Sequence, residues 1–131
     1  MTVALRIFDQ TNAEQREPAI TLQLASERLK VRDLIERRVR EEVERFNRDQ
    51  PRVYRGLVQP ADTEITLNGY RLRKPKKIDW RQQADAAIDA FENGRIYILF
   101  DDRQLDTLDD ELTVTAKTEV IFLKLVALIG G

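Results

Sequence analysis

Two glycines, Gly130 and Gly131, close this 131-residue chain directly after an apolar run. No other residues in it have so specific a chemical use. Without a Cβ, a terminal glycine can enter a narrow channel and take backbone angles closed to other residues. Glycine makes up about 7% of average usage, so two in succession at a terminus arise by chance in roughly one chain in 200. The expectation is that the Gly131 carboxylate is the working group; the competing reading is a frayed end or an arbitrary boundary.

The rest of the composition narrows the chemistry by exclusion. There is no Cys and no His, which removes thiol nucleophiles, Ser-His-Asp triads, the usual zinc sites and disulfides together. No metal, cofactor or catalytic residue is assigned, and the chain is not expected to be an enzyme. Carboxylates cluster at Asp101, Asp102, Asp106, Asp109, Asp110 and Glu111. Paired carboxylates can do acid–base work, but no obvious pocket or His accompanies these, and a solvated acidic face is the expected reading. A basic run, Arg71, Arg73, Lys74, Lys76, Lys77 and Arg81, stands apart from it. Opposite strips on one chain can pair within a molecule or between copies, so self-association into a homo-oligomer is a further expectation. Charged residues are 34% of the chain, yet the net charge is only −1, which argues against nucleic-acid binding. The apolar run from Val120 to Ile129 is too short to span a bilayer. The N-terminus alternates Val3, Leu5 and Ile7 with polar or small residues, unlike a signal peptide. A soluble, cytoplasmic, single-domain protein is expected.

Residues 2–8 and 20–24 alternate with period two and read as a hairpin with one buried face. From Lys30 to Asn47 the period turns helical, with Val31, Leu34, Ile35, Val39, Val43 and Phe46 on one stripe. The pairs Glu36–Arg40 and Glu41–Arg45 have favourable spacing on the charged face. The segment 47–94 comes next. It holds a short hairpin turning at Asn68-Gly69, then a helix capped by Asp79 with Gln82 three residues on and stopped by Asn93-Gly94. Trp80 and Phe91 are expected to be packing anchors. Arg95–Phe100 is a strand followed by the turn Asp101-Asp102. The last strand, apolar on both faces, reads as a central one.

This order (hairpin, helix, strand, turn, central strand) resembles the β-grasp fold of the ubiquitin-like family. Ile20-Thr-Leu-Gln-Leu24 resembles ubiquitin's second strand. Leu99-Phe100-Asp-Asp-Arg-Gln-Leu105, with Thr107-Leu108-Asp109, looks like its third strand and the turn after it. Glu119-Val-Ile-Phe-Leu123 ahead of Gly130-Gly131 is similar to the ends of sulfur carriers such as the molybdopterin-synthase small subunit and the thiamine sulfur carrier. Taken whole, the chain looks most like bacterial ubiquitin-like modifiers encoded beside activating, conjugating and isopeptidase enzymes. The resemblance covers roughly 1–46 and 95–131, a core of 1–46 and 95–126 with a tail of 127–131; it makes residues 47–94 an insert in place of a short connection, with no counterpart. It implies an α+β fold, a mixed sheet crossed by one helix, with the insert adding the short hairpin and second helix.

The resemblance implies that an activating enzyme adenylates the Gly131 carboxylate, which is then transferred to a target nucleophile. A conjugating enzyme and a deconjugating isopeptidase would be further partners. Leu128 and Ile129 would be recognition residues for these enzymes, buried on binding and wasteful in water. Leu99 takes the place of ubiquitin's partner-binding isoleucine, and Arg103 that of its best-known chain-forming lysine, which excludes chains through that position. The tail is apolar where ubiquitin's is arginine-rich, which speaks against recognition by eukaryotic ubiquitin enzymes. Two alternatives stand beside the modifier: a sulfur carrier with a terminal thiocarboxylate, and a non-covalent β-grasp binding module.

Overall fold

The computed structural model describes residues 2–11 and 15–125. In chain order its elements are β1 (Val3–Thr11), β2 (Glu17–Leu24), β3 (Arg28–Lys30), α1 (Val31–Asp49), β4 (Val53–Tyr54), β5 (Thr63–Thr66) and β6 (Gly69–Leu72). There follow α2 (Trp80–Glu92), β7 (Ile96–Phe100), β8 (Arg103–Gln104), β9 (Glu111–Thr113) and β10 (Glu119–Lys124). The chain divides into two compact units, one of residues 1–34 with 90–131 and one of residues 35–89. The dividing lines fall inside the two helices, whereas the sequence places the edges of the insert at 47 and 94. The protein is α+β, with a mixed sheet and two helices.

In the first unit the sheet runs β2-β1-β10-β7-β8. β1 and β2 form the antiparallel hairpin, with a bulge between Ile7 and Phe8, and β10 lies parallel to β1 and antiparallel to β7. Period-two side chains explain the inner face: Leu5, Ile7, Ile20, Leu22, Leu24, Ile96, Ile98, Phe100, Val120 and Phe122 are all buried. β10 is central, as expected, but only one of its faces is buried; Ile121 and Leu123 on the other are half-exposed. Asp101 and Asp102 have φ values of 46° and 71°, the left-handed pair that turns β7 into β8. β3 and β9 form a separate antiparallel pair.

The start of α1 is weakly marked in sequence because its cap is supplied from elsewhere. The amides of Val31 and Arg32 donate to the carbonyl oxygens of Asp110 and Leu108. The Asp33 carboxylate reaches back to the Lys30 amide at 3.1 Å, half of a capping box. These bonds satisfy N-terminal donors that the helix leaves open. The end of α2 follows its sequence closely. Gly94, at φ 71°, donates to the Phe91 carbonyl, and Arg95 donates to that of Ala90, the two bonds of a Schellman stop.

In the second unit the sheet order is β4-β6-β5. Its hairpin turns one residue earlier than the Asn-Gly pair predicts: Thr66 opposes Gly69, leaving Leu67 and Asn68 as the loop. The Thr66 hydroxyl accepts from the Asn68 amide and donates to the Gly69 carbonyl, which holds the tight loop without Asn68 turning left-handed. Gly69 serves close approach instead. It has φ 140°, and a Cβ there would lie 2.6 Å from the Tyr54 carbonyl oxygen on β4. Asp79 caps α2 through the Arg81 amide at 2.9 Å. Trp80 is half-buried between the guanidinium groups of Arg40 and Arg81, at 5.0 and 5.5 Å from its ring centroid.

Candidate functional site

The outer face of the first unit's sheet presents a half-exposed apolar row. Phe8 on β1 lies opposite Ile121 on β10, which lies opposite Leu99 on β7. The next row sets Gln10, Leu123 and Tyr97 side by side. All six are intermediate in exposure. They face outward because each alternates with a core residue of its strand, so the packing of Ile7, Ile98, Val120 and Phe122 also fixes this surface. The row is bordered by charge. Arg16 lies 4.2 Å above the Phe8 ring centroid, a cation–π distance. Glu119 accepts from Arg16 at 3.1 Å and pairs with Arg6 at 3.4 Å, while its amide donates to the Asp101 carboxylate at 3.0 Å.

Leu99, expected to recognise a partner enzyme, therefore stands in a contiguous apolar strip with Ile121 and Phe8. At the end of β10, Lys124 pairs with Asp9 at 3.5 Å, and the Leu125 amide donates to the Arg95 carbonyl. Leu125 itself is exposed. Leu128, Ile129, Gly130 and Gly131 lie outside the described residues.

The two charged strips are exposed and partly engaged by residues of neighbouring strands and loops. In the basic strip, Arg71 pairs with Glu64 at 2.6 Å, Arg73 approaches Glu64 at 3.9 Å, and Lys76 pairs with Asp62 at 3.2 Å. The Arg71 guanidinium, by hydrogen bond and charge, holds the Glu64 carboxyl below its ordinary range. In the acidic strip, Asp102, Asp106, Asp109, Asp110 and Glu111 are exposed, and Asp101 receives the Glu119 amide. No group of three acidic residues among the described residues is placed to hold a metal ion.

One cluster escapes the pattern of the sequence. Arg38 is fully buried and bridges to Glu42 at 3.2 and 3.3 Å. Glu42 also accepts the Leu57 amide at 3.3 Å. Both fall within the apolar stripe of α1 by spacing, Arg38 four residues after Leu34 and Glu42 four before Phe46, which is the one signal that marks them. On the solvated side, Arg45 pairs with Glu41 as expected, but Arg40 pairs with Glu44, not Glu36. Tyr54 packs edge-on against Phe46, with centroids 5.4 Å apart. Its buried hydroxyl makes no hydrogen bond of full geometry, although the Gln83 side chain lies beside it. Burial first, and then the nearby Glu42 carboxylate, push its pKa far above the ordinary value, with Gln83 pulling weakly against the rise. A phenol held so firmly protonated is a poor acid or base at neutral pH, and the cluster reads as packing.

Comparison of the chain with protein-family models, with curated proteins and with solved structures returned no match. Among the described residues no helix is long and apolar enough to cross a membrane.

Proposed function

We propose that this chain is a ubiquitin-like modifier of the β-grasp class, activated at the Gly131 carboxylate and transferred to a target nucleophile. The observation that carries the reading is the position of β10. It lies parallel to β1 at the centre of an otherwise antiparallel sheet, following a hairpin and a helix, and leads straight into the tail that ends in Gly130-Gly131. That strand order supports the β-grasp class, since the C-terminal strand must then leave the sheet beside the N-terminal hairpin. Six residues follow Leu125, a reach of about 20 Å when extended, enough to thread an enzyme's active site while the domain stays outside. A carboxylate is a poor acyl donor. Attack of its oxygen on the α-phosphate of ATP, with release of pyrophosphate, makes it a good one.

On this reading the strip of Phe8, Ile121 and Leu99 is the surface that the activating enzyme, a conjugating enzyme and an isopeptidase grip, with Leu128 and Ile129 entering the enzyme. The setting is the cytoplasm. Incubation with a candidate activating enzyme and ATP, read by intact-protein mass spectrometry, tests the proposal. An adenylate or an acyl adduct at Gly131 is expected. Deleting Gly131, or Gly130→Val, should abolish it while circular dichroism stays unchanged, because both lie beyond the last described strand. Undiminished adduct from the deletion overturns the reading. Replacement of a terminal oxygen by sulfur would identify a sulfur carrier, and an unreacted terminus a binding module.

A further inference from the structure

β2 ends its sheet with β1 as its one strand neighbour among the described residues. An unpaired edge offers a row of backbone donors and acceptors to another chain, so natural proteins shorten it, charge it, bulge it or place proline on it. The other sheet ends conform. β8 has two residues, and β5 has four and carries Glu64. β2 is eight residues long and protected at only one end, by Glu17, Pro18 and the bulge opposite Ile7 and Phe8. From Ala19 to Leu24 it bears no charge, and Ala19, Thr21 and Gln23 are exposed. The bulge also opens a depression of about 380 Å³ on this margin, lined by Arg6, Phe8, Pro18, Ala19 and Thr21 among others.

We infer that this edge binds a second copy of the chain, β2 running antiparallel to β2 about a two-fold axis through Thr21. Charge and register select the occupant and the centre. An axis at Thr21 sets Ile20 opposite Leu22 and Ala19 opposite Gln23, with no charged residue facing another. Moving it one residue toward the C-terminus would oppose Glu17 to Glu27, and one residue the other way would oppose Leu24 to Arg16. The pairing is isologous, the commonest symmetry of soluble oligomers. It joins the two five-stranded sheets with their apolar inner faces on the same side, because directly opposed residues share a face. Gln23 of the second copy then sits at the rim of the depression beside Ala19. The contact uses neither the tail nor Gly131, so it stands or falls separately from the modifier reading.

Light scattering on the eluted protein over a concentration series tests it. The mass should rise from 15.3 kDa toward twice that value, with little effect of salt, since no ion pair is involved. Thr21 is exposed, so Thr21→Lys and Thr21→Asp should each fold normally by circular dichroism. Each alone should remain monomeric, because like charges meet at the axis. An equimolar mixture of the two should dimerise again. A wild-type monomer at every concentration overturns the inference and leaves the edge to an extended peptide. Single variants that dimerise as well as the wild type, or a mixture that stays monomeric, overturn it equally.

Discussion

In the unit of residues 1–34 and 90–131 the buried side chains are almost all apolar, with Thr118 the exception among the described residues. The unit of residues 35–89 buries Arg38, Thr63 and Gln83. The contrast follows from how each meets its backbone. In the first, the five-stranded sheet and the β3–β9 pair satisfy most main-chain donors and acceptors, so alternate side chains are free to be hydrocarbon. In the second, the strands have two, four and four residues, and irregular segments lie at 55–62, between β4 and β5, and at 73–79, before α2. Side chains do the work there. Asn47 accepts from the Ile78 amide and donates to its carbonyl, at 2.8 and 2.9 Å. Gln83 donates to the Val58 carbonyl at 2.9 Å, the Thr63 hydroxyl to that of Pro60 at 2.7 Å, and Glu42 receives the Leu57 amide. A loop without a ladder must be pinned by polar groups, and those groups must be buried to be effective.

The largest effect expected from this contrast lies in the sheet. Phe122 is fully buried in the central strand, opposite Ile98, and Phe122→Ala should cost about 3–5 kcal/mol in denaturant unfolding. A loss under about 1 kcal/mol would mean that the inner face is not a close-packed core, and the contrast would fail on its apolar side.

A smaller, more local effect is expected in the second unit. Asn47→Ala leaves the amide and the carbonyl of Ile78 without their partner, and Ile78 is itself buried. The cost should be about 1–3 kcal/mol, the penalty for buried polar groups left unpaired. Hydrogen exchange should show faster exchange at Ile78 and the first turn of α2, with β1 and β10 protected as before. If protection fell equally throughout, the polar pins would not be specific to this unit.

These two kinds of residue also divide what the sequence discloses. Alternation in 2–8 and 20–24 predicts two strands of the first sheet and their buried faces, because a single period carries both; 95–100 reads as a strand, but being apolar on both faces it does not disclose which one turns inward. The helical stripe of α1 is read equally well. The hairpin turn is misplaced by one residue, since Thr66 and the approach of Gly69 to Tyr54 outweigh the preference of Asn-Gly for a left-handed turn. The cap of α1 is invisible locally because its acceptors come from Leu108 and Asp110, more than seventy residues away. Arg38 and Glu42 fall inside the helical stripe by spacing, but their charge hides them from a reading that follows only its apolar members. Of the outward strip, Leu99 is found through its likeness to ubiquitin; Phe8 and Ile121 need the register between strands, which no period in one strand contains.

The smallest effect comes from Tyr54, and its sign runs against the usual cost of core substitutions. Its hydroxyl is buried with the Gln83 side chain beside it but no hydrogen bond of full geometry, so Tyr54→Phe removes a desolvated polar group and keeps the ring against Phe46. Stability at neutral pH should rise by about 1 kcal/mol. The pH dependence supplies an independent reading. Burial and the Glu42 carboxylate raise the folded-state pKa above the ordinary 10.0. The unfolded chain then loses this proton first as pH rises, so it binds fewer protons than the folded chain, and stability falls above about pH 10. Below that pH both states keep the proton and the term is constant. Tyr54→Phe should therefore flatten the alkaline decline of the melting temperature, so that its advantage over the wild type grows with pH. A variant less stable than the wild type at neutral pH, with the same alkaline slope, would mean that the hydroxyl is hydrogen-bonded in solution and that Tyr54 belongs with the polar pins of its unit.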